Sequence, residues 1–97
     1  MAELIVANPV AESEVQRIEP APRPHDLAGK RIGLYWNLKP GGNIGLDRVE
    51  SRLRERFATT EFVRFEGSVG ASVRHLTPKD ADRVASQVQA VVGTTGD

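Results

Sequence analysis

Cysteine is absent from this 97-residue chain. As written, the polypeptide has no disulfide, no thiolate metal site and no thiol nucleophile. Aromatics are few, with one Trp, one Tyr and three Phe. They do not alternate with basic residues as a platform for stacked bases would. Neither sign of charge is in excess, thirteen basic residues standing against thirteen acidic ones. That balance argues against nucleic acid or an anionic membrane as partner, since both need a clustered positive surface. Long apolar runs are missing too, none approaching the roughly 18–20 residues of a membrane span. The start, MAELIVANPVAESE, lacks the basic n-region and longer apolar core of a signal peptide. Cytoplasmic residence is therefore the expectation.

What remains is 39% hydrophobic with nine glycines, enough for one small α/β domain with an ordinary interior. Leu4 to Ala7 is apolar and stopped by Asn8-Pro9, which predicts a short strand. The stretch to Leu27 is polar and carries Pro20, Pro22 and Pro24. Each proline fixes φ and turns its predecessor away from helix, so EPAPRPHD is expected to be an extended linker, or an arm lying across a neighbouring subunit. The division is thus 1–29, strand and Pro-rich arm, and 30–97, the N-terminal part of an α/β domain.

KRIGLYWNL places Ile32, Leu34 and Trp36 on one face and Gly33 and Tyr35 on the other. Both faces are mostly non-polar, as in a central strand covered on two sides. KPGGN breaks it, with Asn43 a good N-cap for the next element. Leu46, Val49, Leu53 and Phe57 then recur at helical spacing. Asp47 is expected in the first turn, and Glu50 and Arg54 are spaced for an i,i+4 pair. TEFVRFEG alternates as a second strand closed by Gly67, and SVGASVRHL reads as loop. In TPKDADRVASQVQ, Thr77 is the N-cap, Pro78 the first helical residue and Asp80 follows three after the cap. Ala90 to Val92 forms a third strand, with Gly93 to Asp97 as the loop leaving it. The order strand–helix–strand–helix–strand predicts an open parallel sheet of about three to four strands with crossover helices.

Ligands in such sheets bind beyond the carboxyl ends of the strands. Two loops reach that edge, one from Asn37 to Asn43 and one from Gly93 to Asp97. KPGGN is either a cradle for an anion, using its glycine amides, the helix N-terminus and Lys39, or a plain β–α turn. It is neither a Walker loop nor G-x-G-x-x-G. His25 and His75 have no nucleophile to serve and read as surface residues. Asp26, Asp80 and Asp82 read as caps or solvated charges. No metal-ligating cluster and no cofactor motif is present. The candidate ligand-binding or site-framing residues are Asn37, Lys39, Gly41, Gly42, Asn43, Thr94, Thr95, Gly96 and Asp97, and none of them is a reactive group.

IVANPVAE, the APRP connector, GKRIGLYWNLKPGGN, the amphipathic helix and AVVGTTGD together resemble the UGSC-motif selenoprotein family. Its members carry selenocysteine or cysteine in a U/C-G-S-C motif. The resemblance implies that a strand ending in a glycine-and-Asp loop leads into that motif, followed by a helix and the rest of an α/β domain. It therefore implies a catalytic group just after Asp97, absent from this chain, and thiol or selenol redox chemistry on an unidentified small-molecule or thiol substrate. Because UGA encodes selenocysteine and ordinarily means stop, the chain is expected to be a selenoprotein truncated at that codon. Alone it would be inactive, with its unpaired sheet prone to self-association. Two other readings stay open: a small subunit of a split α/β enzyme completed by a complementing chain, or a non-enzymatic binding module holding a small anion at KPGGN.

Overall fold

Ile32 and Leu34 are almost wholly removed from solvent, at 1% and 0% exposure. Gly33 between them is buried as well. A strand buried on both faces must lie mid-sheet between two layers, and the computed structural model has that arrangement. It describes residues 4, 5, 7, 14–68 and 75–96. The elements are β1 (Arg31–Trp36), α1 (Gly42–Arg56), β2 (Glu61–Glu66), α2 (Pro78–Ala85) and β3 (Ala90–Thr94). The sheet order is β2-β1-β3, and both pairings are parallel.

The register aligns Ile32 with Phe62 and Ala90, and Leu34 with Arg64 and Val92. Against this face pack Leu46, Val49 and Leu53 of α1, with Leu27 closing one end. Arg54 lies 4.7 Å over the Phe62 ring, and Arg64 reaches Asp47 at 2.8 Å, so β2 and α1 are tied by charge as well. The other face belongs to α2. A side chain at Gly33 would meet Phe65 at 3.0 Å and Val88 at 3.2 Å. Phe65 thus lies over the space a glycine leaves, and Arg83 of α2 lies 5.4 Å over its ring. With β2 and β3 on opposite sides of β1, the two crossovers run in opposite directions. Right-handed crossovers then put their helices on opposite faces.

The open parallel sheet, its two crossover helices and the Glu50–Arg54 pair (3.5 Å) follow the sequence expectation. So does the cap of α2: the Thr77 side chain accepts from the Asp80 amide, with Pro78 in the first turn. Other details differ. The N-cap of α1 is Gly41, in the left-handed conformation at φ 94°, with no side-chain cap. Asn43 is the second helical residue, and Asp47 lies beyond the first turn. β2 does not alternate simply, because Phe62 and Phe65 serve opposite faces. β3 runs on to Thr94 rather than ending at Val92. Leu4, Ile5 and Ala7 are exposed and carry no strand, and residues 14–24 carry neither helix nor strand. Val6, Pro9, Asp97 and residues 69–74 of the expected loop lie outside the described residues.

Leu34 sits at the centre of this packing with no exposed surface. Leu34→Ala is expected to lower unfolding stability by about 2–5 kcal/mol, read as a reduced denaturant midpoint at unchanged slope. A loss below about 1 kcal/mol would contradict a two-sided central strand.

Candidate functional site

In open parallel sheets, ligands approach beyond the carboxyl ends of the strands, at the point where strand order reverses. Here that point lies between β1 and β3, and the loops after them are Asn37–Gly41 and Thr95–Gly96. The first loop is held from within. The Asn37 side-chain oxygen accepts from the Lys39 amide at 3.2 Å, and the Trp36 indole donates to the Lys39 carbonyl at 2.7 Å. Between them Leu38 adopts φ 71°, the one non-glycine residue at positive φ among those described. That conformation costs a leucine roughly 1–2 kcal/mol. The local bonds on either side are what hold it there.

The second loop is pressed against the first. Thr94 Oγ1 donates to the Gly42 carbonyl at 2.8 Å. A Cβ on Gly96 would stand 2.7 Å from both the Gly42 nitrogen and the Lys39 carbonyl oxygen, and closer still to the Pro40 carbonyl oxygen. A Cβ on Gly42 would lie 3.0 Å from the Trp36 ring and 3.1 Å from Thr94 Oγ1. The two glycines therefore let backbone meet backbone across the switch point. The Gly42 amide already donates to the Lys39 carbonyl at 3.2 Å, so the chain itself takes up this first-turn donor.

The structure brings Lys39, Gly42, Thr94 and Gly96 together, with Asn37 and Gly41 shaping the turn from inside and Thr95 exposed between Thr94 and Gly96. Asn43 does not join them. It lines a separate cavity of about 270 Å³ with Trp36, Leu46, Arg64 and Glu66. Trp36 and Leu38 belong to the site and were not foreseen as such. An apolar residue read as core gives no sign that its indole N–H holds a loop.

A second cluster lies on the α2 face of the same edge. Asp80 is only 2% exposed. Its carboxylate accepts from the Ser68 amide (3.1 Å), the Ser68 hydroxyl (2.8 Å) and Arg83 (3.2 Å). The two Ser68 donors, then the Arg83 and Thr77 contacts against the cost of burial, hold its pKa down at about 2. Burial and the neighbouring Asp80 carboxylate push the Tyr35 phenol above its ordinary value. Asp80 was expected as a cap or solvated charge. It is a buried anchor, pinning the end of β2 to the start of α2. Its main partner Ser68 is twelve positions away, a pairing no local pattern reveals.

Among the described residues, no helix is long and apolar enough to cross a membrane. The family profile described as the UGSC family matches residues 5–97. No curated protein and no solved structure matches the chain.

Two outcomes test this geometry. Gly96→Ala is expected to cost about 1–3 kcal/mol and to shift the emission of Trp36, the sole tryptophan, because the Lys39 turn must retreat. Unchanged stability and emission would reject the close approach. For Asp80, a folded-state pKa below the ordinary 3.8 means stabilisation that is complete above the unfolded-state range and is lost as pH falls through about 2. Wild type should exceed Asp80→Asn in melting temperature near neutrality, and the gap should close as the pH is lowered towards that value. A gap independent of pH would place the Asp80 contribution in packing rather than charge.

Proposed function

The chain belongs to the UGSC family, and from that premise we propose that it is the N-terminal portion of a UGSC-type selenoprotein whose reactive U/C-G-S-C motif follows Asp97. The observation that carries this reading is the backbone packing of Gly96 against the Lys39–Gly42 turn. A residue following so soon after Gly96 is held near the carboxyl edge, beside the N-terminus of α1, where the helix dipole favours an anion such as a selenolate or thiolate. The left-handed Leu38 supports the same reading, since backbone strain concentrates where geometry serves function.

In this reading the present residues frame the reactive group and do not perform the chemistry. Thr94, Thr95, Gly96 and Asp97 direct the chain into the motif. Asn37, Lys39, Gly41 and Gly42 build the wall it faces, Lys39 adding positive charge. A U-x-x-C spacing suits reversible formation of a selenenylsulfide: the selenol and thiol give two electrons and two protons to a disulfide substrate, releasing it as two thiols, and an external dithiol reduces the selenenylsulfide again. The substrate is a small molecule or thiol in the cytoplasm. The anion-binding alternative is less favoured, because the Gly42 amide is engaged with Lys39 and covered by Gly96.

The nucleotides after the Asp97 codon test the proposal directly. A UGA followed in frame by codons for Gly-Ser-Cys is expected, and a different stop or unrelated downstream sequence overturns it. The redox role has its own test. The longer product, purified without reductant, should contain an internal selenenylsulfide that dithiols open; a motif that stays reduced under oxidant would remove that role.

A further inference from the structure

The cavity of about 270 Å³ that Asn43 lines lies on the β2 side of β1, away from β3, and the switch point makes no use of it. Alternate residues of a strand share a face, and partners in register stand side by side. Leu34 pairs with Arg64 and Trp36 with Glu66, so these four residues form one patch under the start of α1. Leu46 of α1 closes the cavity from above. The chain leaving β2 turns to the opposite face, where Asp80 holds Ser68. The walls thus belong to β1, β2 and α1. A cavity just below the roughly 300–1,000 Å³ of drug-sized ligand sites suits a small molecule.

Its charges are unevenly committed. Arg64 bonds Asp47 at 2.8 Å and lies 3.5 Å from Glu50. Glu66 lends its carbonyl to Arg83 at 2.9 Å, but among the described residues its carboxylate joins no ion pair. Three carboxylates (Asp47, Glu50 and Glu66) face two guanidiniums (Arg54 and Arg64) in this region. The first amide of α1, that of Gly42, is already taken by the Lys39 carbonyl.

We propose that this cavity binds a small organic cation, a primary ammonium group on a short apolar body. The apolar body rests on Leu34 and Leu46. The ammonium donates to the Glu66 carboxylate and to the carboxamide oxygen of Asn43. Trp36 supplies an aromatic wall, against which an ammonium is attracted by the ring quadrupole. An anion in the same place would meet the Glu66 carboxylate, and the Arg64 guanidinium that could answer it is held by Asp47. The site stands whether or not a reactive group follows Asp97. Because the Trp36 indole N–H also holds the Lys39 turn, one side chain borders both the cavity and the switch point.

The experiment titrates n-butylammonium chloride into the full chain, followed by heteronuclear NMR, with sodium n-butyrate and n-butanol as matched probes. Saturable shifts are expected at the Trp36 indole N–H, the Asn43 side-chain amide and the Glu66 backbone amide. Neither butyrate nor butanol should reproduce them. Glu66→Gln keeps the shape of the side chain and removes its charge, so it should weaken butylammonium binding about tenfold or more. Glu61→Gln, at the far end of the same strand, should leave the affinity unchanged. The absence of saturable shifts at those groups overturns the proposal. So does butyrate or butanol binding there as well as butylammonium, or a Glu66→Gln protein that binds as tightly as wild type. Should Glu66→Gln not fold, the contrast between butylammonium and butyrate in the wild-type protein decides.

Discussion

Everything in this fold hangs on β1 being buried from both sides. Ile32 and Leu34 face α1, and Gly33 behind them admits the Phe65 ring and Val88 into the space a side chain would fill. A middle strand of this kind needs one helix on each face. The chain supplies them by crossing first to β2 and then back over β1 to β3. That reversal creates the switch point, so the requirement that buries the core also fixes where a ligand or reactive group can approach. Core and candidate site follow from the same topological fact.

The site is built with few side chains. Gly42 and Gly96 allow main chain to touch main chain, and Thr94 adds one hydroxyl bond to the Gly42 carbonyl. Trp36 contributes its ring to the wall and its N–H to the turn. The shape of such a surface is set by backbone contacts and does not depend on ordering long side chains. Glycines, a threonine and an indole N–H offer no group with a pKa suited to proton transfer. Asp80 does comparable work on the α2 face with charge instead of glycine, holding Ser68 and Arg83 around one carboxylate.

Much of this was legible because it is local. Alternation in β1, the three-to-four spacing of Leu46, Val49 and Leu53, and the Thr77-Pro78 start of α2 each depend on neighbours within a turn or a pleat. The start of α1 misled for an instructive reason. Asn43 is the better capping side chain, yet the turn needs left-handed backbone at Gly41, and conformational freedom outweighed the side-chain hydrogen bond. The end of β3 was set by pairing with β1 as far as Trp36–Thr94, a length dictated by the partner strand and not by Gly93 itself. The place of Asp80 in the cap of α2 was legible, but its burial was not, since that depends on a serine in a different loop. Long-range pairs escape a reading of single windows.

The two ends of β1 also divide stability from function. At the amino end, side chains tie the edge shut. Gln89 accepts from the Arg31 amide at 2.8 Å, Thr59 from the Gly29 amide at 2.9 Å, and Thr60 donates to the Leu27 carbonyl at 2.7 Å. These bonds link β1 and the segment before it to the segments that precede β2 and β3. At the carboxyl end the corresponding places are taken by glycines, by a leucine at positive φ and by a loop whose backbone lies against its neighbour. The asymmetry separates an amino edge closed by side-chain hydrogen bonds from a carboxyl edge built by backbone contact around the Lys39–Gly42 turn.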